Sequence, residues 1–212
     1  IAIVLFTVVM GVIMGTLQLQ EKGQQEAALF RELSFAKQRI QLRFANNTDV
    51  FQSFAREFVS TAELAKSKDS IIIEAENLLQ NNHEIAQIIW INAAGERQWK
   101  IPSDNMRTDW FDRRQNATVI NQALRQTIEL SAATNRAAFS QFISLEVPSN
   151  ELISKEIRNV FWQTVPQISG NEIKGMIAVL YTTHGILEII PGELKGLYRF
   201  TLITDGERVL AI

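Results

Sequence analysis

The sequence predicts an α+β protein in which helices flank one antiparallel sheet. The first observation is a long, helix-like opening region with no proline before Pro102. The second is that strand-type runs then come in pairs around turns, and the third is that no series of alternating strand, helix and strand units links them. Strands that follow helices and pair with each other favour this architecture over a parallel sheet.

Residues Ile1 to Leu17 form an apolar segment that carries no charge and whose only polar side chains are Thr7 and Thr16. At 1.5 Å per residue, about 17 helical residues span roughly 26 Å, close to the ~30 Å hydrocarbon core of a bilayer. We therefore expect residues 1–20 to be a transmembrane helix that is truncated at its start. A signal peptide is the alternative, but no basic region precedes the segment, no small-residue cleavage site follows it, and a helical pattern continues directly after it.

Residues 21–68 are predicted to form a long helix that leaves the membrane and carries one apolar stripe. The apolar side chains follow spacings of three, four and seven, as in a coiled-coil seam. The stripe consists of Phe30, Leu33, Ile40, Phe44, Phe51, Phe54 and Phe58, and it is interrupted by Lys37 and Asn47. It either packs on its own domain or, in its membrane-proximal part, pairs with a second subunit, and different stretches can do each. The polar run 46–49 predicts a kink or a break.

Residues 69–192 carry the predicted elements of one lobe. Two strand-type runs, 85–91 and 96–101, flank a polar turn that ends in Gly95 and therefore indicate a hairpin. The other predicted elements are a helix at 71–80, a helix at 117–130, strands at 138–147, 159–165 and 175–182, and a short helix at 184–190. Residues 193–212 contain Asp205-Gly206 between apolar runs, a strong hairpin signal, and are interpreted as the start of a second, truncated lobe.

Composition and missing motifs exclude several function classes. The net charge of −2 leaves no basic excess to hold nucleic acid. The absence of cysteine excludes disulfides, thiolate metal sites and cysteine nucleophiles. No phosphate-binding glycine loop, nucleophile elbow or zinc-protease motif occurs, and His184 with Glu188 four residues later is weak evidence for a metal. Acidic residues are scattered, so we expect no cofactor and no catalytic site in this chain.

One cluster of residue types does suggest a binding site. Trp110 and Phe111 lie among Arg107, Arg113 and Arg114 at the start of a predicted helix. Arginine offers paired planar donors that suit a carboxylate, aromatic rings form the apolar wall of small-molecule pockets, and a helix N-terminus favours an anion. The alternative is that the two aromatic residues belong to the core while the arginines cover the surface and pair with nearby aspartates.

Four stretches, in their order along the chain, resemble the double-Cache (PDC, PAS-like) extracytoplasmic sensor domains of bacterial histidine kinases and chemoreceptors. The first is the apolar segment that runs directly into a long helix. The others are the hairpin 88–96 with its turn ending in Gly95, the aromatic segment 109–117, and the segment 165–179, where a proline and a hairpin precede a glycine-led strand. Each motif alone is loose, and their order over nearly the whole chain carries the resemblance.

The resemblance implies a PAS-like sheet in a periplasmic sensor lobe that is anchored in the bacterial inner membrane, most like that of a two-component sensor histidine kinase. The sensor region of a chemoreceptor or diguanylate cyclase, or a ligand-free partner-docking module, is the alternative. It also implies a homodimer that binds a small ligand, expected to be a carboxylate. The residues expected to line the pocket are Arg107, Trp110, Phe111 and Arg114 from the helix side, and Trp162 or Gln163, with Tyr181, from the sheet. Because side chains alternate along a strand, only one of Trp162 and Gln163 is expected to point inward.

Two positions depart from the family's pattern. Thr108 and Asp109 stand where the family commonly has arginine and proline ahead of its aromatic residues. Leu180 stands at about the position, counted from Gly175, where amino-acid-binding members carry an aspartate. An α-amino group would lack that partner, so the resemblance makes amino acids less expected than other organic acids.

Overall fold

A computed structural model of the chain describes residues 2–60, 64–103, 111–146, 159–203 and 209–211. The helices in these ranges are α1 (Ala2–Ser60), α2 (Leu64–Asn81), α3 (Arg114–Thr134), α4 (Thr183–Glu188) and α5 (Gly192–Leu197). The strands are β1 (Ile85–Asn92), β2 (Arg97–Pro102), β3 (Ala138–Phe139), β4 (Ile143–Ser144), β5 (Asn159–Ser169), β6 (Glu172–Thr182), β7 (Leu202–Ile203) and β8 (Val209–Ala211). The predicted α+β class, with an antiparallel sheet flanked by helices, is confirmed.

Helix α1 is continuous, so the predicted break at 46–49 is wrong, and a kink there stays a prediction. The polar run stays helical because its side chains form hydrogen bonds that are compatible with helical backbone. The Thr48 hydroxyl donates to the Phe44 carbonyl at 2.8 Å, and the buried Asn47 amide donates to the Glu84 carboxylate at 3.0 Å. Among the residues that the structure describes, no helix is both long enough and apolar enough to cross a membrane. The N-terminal anchor therefore stays an expectation from the sequence.

The apolar stripe of α1 differs between the two compact units into which the chain divides, Ile1–Gln41 and Leu42–Ile212. In the second unit Phe51 and Phe54 are buried, so this part of the stripe packs on its own domain. In the first unit Phe30 and Leu33 are 66% and 52% exposed.

The main sheet has the strand order β2-β1-β6-β5-β3, and β4 pairs with β5 beside β3. All of these pairs are antiparallel. The predicted hairpin of β1 and β2 is confirmed, with Gly95 at a positive φ of 79° in its turn. Strands β5 and β6 form the second hairpin through Gly170, and β6 lies in the middle of the sheet between β1 and β5.

Both faces of this sheet are covered. Trp162, Leu180 and Gln87 stand opposite one another on β5, β6 and β1, so they share a face, and the Trp162 indole contacts α3. We call this the α3 face. Gln163 and Tyr181 lie on the other face, where Gln163 contacts Thr48 of α1. We call this the α1 face.

The predicted single strand at 138–147 is instead two short strands, β3 and β4. Ser140 interrupts the ladder because its hydroxyl, 2.8 Å from the Trp162 nitrogen, accepts the bond that a backbone carbonyl would otherwise accept. Strand β5 also runs past Pro166, where we expected it to end. Proline lacks an N–H and is tolerated where a strand is at a sheet edge, and the pairing of β3 with β5 reaches no further than Thr164.

Two helices differ from the prediction, while the C-terminal hairpin agrees with it. Helix α2 begins at Leu64 and not at about 71, because its first turns contain good helix formers, namely Leu64, Ala65, Lys66 and Lys68. Helix α5 was not predicted, because it contains Gly192 and Gly196 and glycine is a poor helix former. Its one buried side chain is Leu194, which packs it onto the lobe. The predicted C-terminal hairpin is present as β7 and β8, and the Leu210 carbonyl accepts hydrogen bonds from Asn159 at 2.7 Å and Thr183 at 3.1 Å.

Candidate ligand pocket and the polar contacts of the long helix

The predicted pocket residues lie in different surroundings. Arg107 and Trp110 fall outside the described residues. Phe111 and Trp162 are buried together in the core between α3 and the sheet, and the Trp162 indole N–H donates to the Ile120 carbonyl at 2.9 Å. Arg114 is exposed at the first residue of α3.

Gln163 and Tyr181 lie together on the opposite, α1 face, where the Tyr181 hydroxyl donates to Gln163 Oε1 at 2.9 Å. Trp162 and Gln163 therefore lie on opposite faces of the sheet, as the alternation of side chains along a strand predicts, and both are fully buried because the sheet is covered on both sides. The structure unites Phe111 with Trp162 and Gln163 with Tyr181, and the sheet separates the two pairs. Their role in ligand binding stays a prediction.

The start of α3 is fastened to the rest of the lobe by a side-chain amide. Asn116 donates to the Glu146 carbonyl at 3.0 Å and accepts from the Glu146 nitrogen at 2.9 Å. The residue that precedes the helix, Arg113, provides no side-chain acceptor for the free N–H groups of the first turn. Asp112 forms an ion pair with Lys100 of β2 at 3.0 Å. The Asn116 hydrogen bonds and the Lys100–Asp112 ion pair therefore hold the start of α3 against the rest of the lobe.

Two buried polar atoms on β1 and just after β2, Gln87 Oε1 and Ser103 Oγ, have no hydrogen-bond partner within the described part of the chain. Both residues are only 3% exposed. Gln87 shares the α3 face and its row with Leu180 and Trp162, and the Ser103 nitrogen donates to the Ala86 carbonyl at 2.8 Å. More than nine in ten buried polar groups have partners, and leaving one unpaired costs about 1–3 kcal/mol. A hydrogen-bond donor to Gln87 Oε1 would remove the cost at that atom.

A chain of polar side chains joins α1 to the sheet on the α1 face. Arg43 donates through Nε to Glu84 Oε1 at 2.8 Å and through Nη2 to the Asn81 carbonyl at 2.9 Å. The Asn47 amide donates to the same Glu84 oxygen at 3.0 Å. Glu84 is 2% exposed and lies between α2 and β1, so one carboxylate connects three elements. Buried charges of this kind persist only when they are paired and hydrogen-bonded.

The chain of contacts continues into the middle of the sheet. Gln163 donates through Nε2 to the Thr48 hydroxyl at 2.6 Å and accepts from Tyr181 at 2.9 Å. Burial raises the pKa of Tyr181 far above its usual value of 10, and a hydrogen bond with Asn47 opposes that shift. Tyr181 therefore stays neutral and serves as a hydrogen-bonding group. Phe44 closes the cluster, with its ring centroid 5.1 Å from that of Tyr181 and 6.0 Å from that of Phe161.

Comparisons with solved structures give a fold likeness. The ligand-binding domain of the Pseudomonas aeruginosa PAO1 amino acid chemoreceptor PctB in complex with L-Gln aligns with a TM-score of 0.50 and 11% identity over 84% of this chain. The fold is similar to that of the PctB domain. This chain spans 64% of that domain's length, so the likeness concerns a part of it. At this identity the likeness concerns the fold alone.

Two further solved structures align with TM-scores below 0.5. The ligand-binding domain of the chemoreceptor PctC from the same organism, in complex with GABA, aligns with a TM-score of 0.49 and 15% identity over 84% of this chain and 71% of its own. An extracellular ligand-binding receptor from Desulfohalobium retbaense aligns with a TM-score of 0.43 and 18% identity over 73% of this chain and 26% of its own. No protein-family model and no curated protein matches the chain.

Sequence reasoning missed four of the residues that matter most, Arg43, Asn47, Glu84 and Gln87. Two of them carried a usable signal. Asn47 is polar in an apolar seam, and Gln87 is polar in the otherwise apolar run 85–91. Such exceptions mark positions where a polar group is held for a reason other than packing. Arg43 and Glu84 carried no such signal, because they are charged residues in ordinary surroundings.

Proposed function

We propose that this chain is the extracytoplasmic sensing region of a membrane-bound receptor, and that its lobe binds a small ligand on the α3 face of the sheet. The observation that carries the proposal is the pair of buried atoms, Gln87 Oε1 and Ser103 Oγ, that have no hydrogen-bond partner among the described residues. Gln87 shares its face of the sheet with the buried Trp162, which packs in one core cluster with Phe111. Small-molecule sites usually combine apolar side chains with a few polar groups that fix the orientation of the ligand.

The chemistry of the residues suggests two features of the ligand. Gln87 Oε1 is an acceptor, so the ligand carries an O–H or N–H donor. Arg107 and Arg114 belong to the predicted wall, so the ligand also carries a carboxylate. Leu180 stands where amino-acid-binding members of the resembled family carry an aspartate acceptor. Gln87 stands directly opposite Leu180 on β1 and offers its amide oxygen as an acceptor there instead. A hydroxy acid and an amino acid both meet these two requirements.

The proposed signal path is α1, because its polar contacts reach both α2 and the sheet through Glu84. A ligand changes this path only if it binds one arrangement of α1 and the sheet better than another. In the full protein, residues 1–20 anchor the region in the inner membrane, residues 21–68 form the signalling helix, 69–192 form the sensor lobe in the periplasm, and 193–212 begin a second lobe. The region forms a homodimer through the exposed apolar residues of α1, and a cytoplasmic histidine kinase is the output, with a chemoreceptor or diguanylate cyclase as the alternative.

The test is a thermal-shift screen on the full 212-residue chain with succinate, malate, lactate, glutamate and glutamine. A ligand present at 100 times its Kd stabilises the folded state by about 2.7 kcal/mol, which raises Tm by several degrees. The variant Gln87→Leu removes the unpaired oxygen at similar volume. It is expected to unfold at a higher temperature than the parent without ligand and to lose the ligand-induced shift.

The matched control is Gln167→Leu, since Gln167 is 2% exposed and lies on the other face of the sheet. It is expected to keep the ligand-induced shift whatever its effect on Tm. Lower stability of Gln87→Leu together with an unchanged ligand shift would contradict the proposed site. If none of the five compounds shifts Tm, the ligand-free partner-docking module becomes the better description.

A further inference from the structure

A separate groove lies at the edge of the sheet where β5 extends beyond β3. It has a volume of about 580 Å³, within the usual range for small-molecule sites. Its floor includes Pro166 and Ile168 of β5, and its walls include Gln52 and Arg56 of α1 and Arg136 of the turn after α3. Since β5 pairs with β3 only as far as Thr164, the floor is the part of the strand that β3 leaves uncovered.

The described lining of the groove carries charge of one sign. Among the described residues that line it, Arg56 and Arg136 are charged and none is a carboxylate. Both arginines are exposed, and Arg56 Nε donates to the Gln52 carbonyl within α1 at 3.3 Å. Among the described residues, the terminal nitrogens of Arg56 have no acceptor and can serve a ligand. Guanidinium groups are strong, directional donors to carboxylates and phosphates.

The wall that carries Arg136 is held in place by local structure. Helix α3 ends at Thr134, and the next residue, Asn135, is in the left-handed conformation, with φ 52° and ψ 32°. The hydroxyl of Ser131 donates to the Arg136 carbonyl at 2.7 Å, which closes the turn against the last turn of α3. Thr164 Oγ1 donates to the Thr127 carbonyl at 3.1 Å and fastens the same helix to β5. A site with a fixed wall loses less conformational entropy when it is occupied.

We infer that this groove binds a small organic anion, with the apolar part of the anion on Pro166 and Ile168 and its acidic group between Arg56 and Arg136. The site goes beyond the proposed function, because it joins α1 to β5 at the sheet edge and uses none of the residues of the α3 face. An occupant would fasten α1 to the sheet and so favour one arrangement of the two. The groove is thus a second, modulating site for an anion.

The test follows the Ile168 methyl group by NMR while the full 212-residue chain is titrated with benzoate, which joins an apolar ring to a carboxylate. Neutral benzamide and inorganic phosphate are titrated separately. We expect benzoate to give a saturable shift of Ile168, with a Kd about tenfold lower than that of benzamide, because the charge-assisted bonds are absent for the amide. Phosphate is expected to move Ile168 far less, since it has no apolar part.

The variant Arg56→Gln/Arg136→Gln is expected to raise the Kd for benzoate at least tenfold. Arg125→Gln is the matched control, because Arg125 is an exposed arginine of α3 that does not line the groove. Gln87→Leu is expected to leave the Ile168 titration unchanged, which separates this site from the one on the α3 face. Equal affinities for benzoate and benzamide, or an unchanged Kd in the double variant with its far-UV circular dichroism intact, would overturn the inference.

Discussion

Replacing Arg43 by methionine tests the polar contacts that join α1 to the sheet. The substitution keeps an unbranched side chain and removes the guanidinium, whose Nε lies 2.8 Å from Glu84 Oε1. The side chain of Glu84 is 3% exposed, so the carboxylate would retain the Asn47 amide at 3.0 Å and lose its counter-charge. A buried carboxylate without a counter-charge destabilises the folded state, because water would solvate it better in the unfolded chain.

The magnitude follows from the burial of the two partners. Removing one member of a buried ion pair costs about 3–5 kcal/mol. The side chain of Arg43 is 35% exposed, and water near it screens part of the interaction. We therefore expect the free energy of unfolding to fall by about 2–3 kcal/mol, which lowers Tm by roughly 4–12 °C for a chain of this size.

The assay is urea denaturation in a double-mutant cycle with Glu84→Gln. In the Glu84→Gln background no carboxylate is left unpaired, so Arg43→Met is expected to cost at least about 1 kcal/mol less than in the parent. Arg39→Met is the control, because Arg39 is exposed and its loss is expected to change stability by less than about 0.5 kcal/mol. Additive effects of the Arg43 and Glu84 substitutions within about 0.5 kcal/mol would refute the reasoning.

Three further outcomes are expected. Tyr181→Phe leaves the fully buried Gln163 Oε1 without its donor, so urea denaturation should show a loss of about 1–3 kcal/mol, and a loss below about 0.5 would argue against the bond. Gly175→Ala would place a methyl group 2.6 Å from an indole ring of β1, so calorimetry should record a lower Tm and a cost of about 1–3 kcal/mol, whereas an unchanged Tm would show that the ring can move. The pKa of Glu188 is lowered, mainly because Lys195 donates a hydrogen bond to its carboxylate. The stability that Glu188 contributes is therefore present above its ordinary pKa of 4.5 and is lost as pH falls through the lowered value. Lys195→Met should lose less Tm between pH 7 and pH 3 than the parent, and an equal loss in both would exclude this ion pair as the cause.

Local patterns in the sequence predicted those elements whose partners are close along the chain. The β1–β2 hairpin followed from two apolar runs around a turn that requires Gly95, and α3 followed from the spacing of its apolar side chains. The outcome at Ser140 depended on a contact with Trp162, which is 22 residues away, so no local pattern predicted the interruption between β3 and β4. The continuation of β5 through Pro166 likewise depended on where β3 ends.

The candidate site shows the same limit more sharply. The sequence supplied Phe111 and Trp162 as apolar wall residues and Tyr181 as a polar aromatic residue. It could not tell that a fully covered sheet separates Tyr181 from the other two, because alternation predicts opposite faces without saying what covers each. Nor could it tell that Gln87 has an unpaired oxygen, since that depends on every neighbour brought to it by the fold.

By itself, the sequence determined the α+β class, the long helix, the hairpins and the absence of cysteine chemistry, because these depend on residue types and on spacings of two to seven positions. Only the tertiary structure decided that Asn47 and Glu84 would meet, that Gln87 would lack a partner, and that Arg56 and Arg136 would line one groove. Asn47 and Glu84, for example, are 37 positions apart in the sequence. The geometry of such contacts is set by the packing of whole helices on the sheet. Short-range patterns contain no information about such packing, and that is the physical reason for the division.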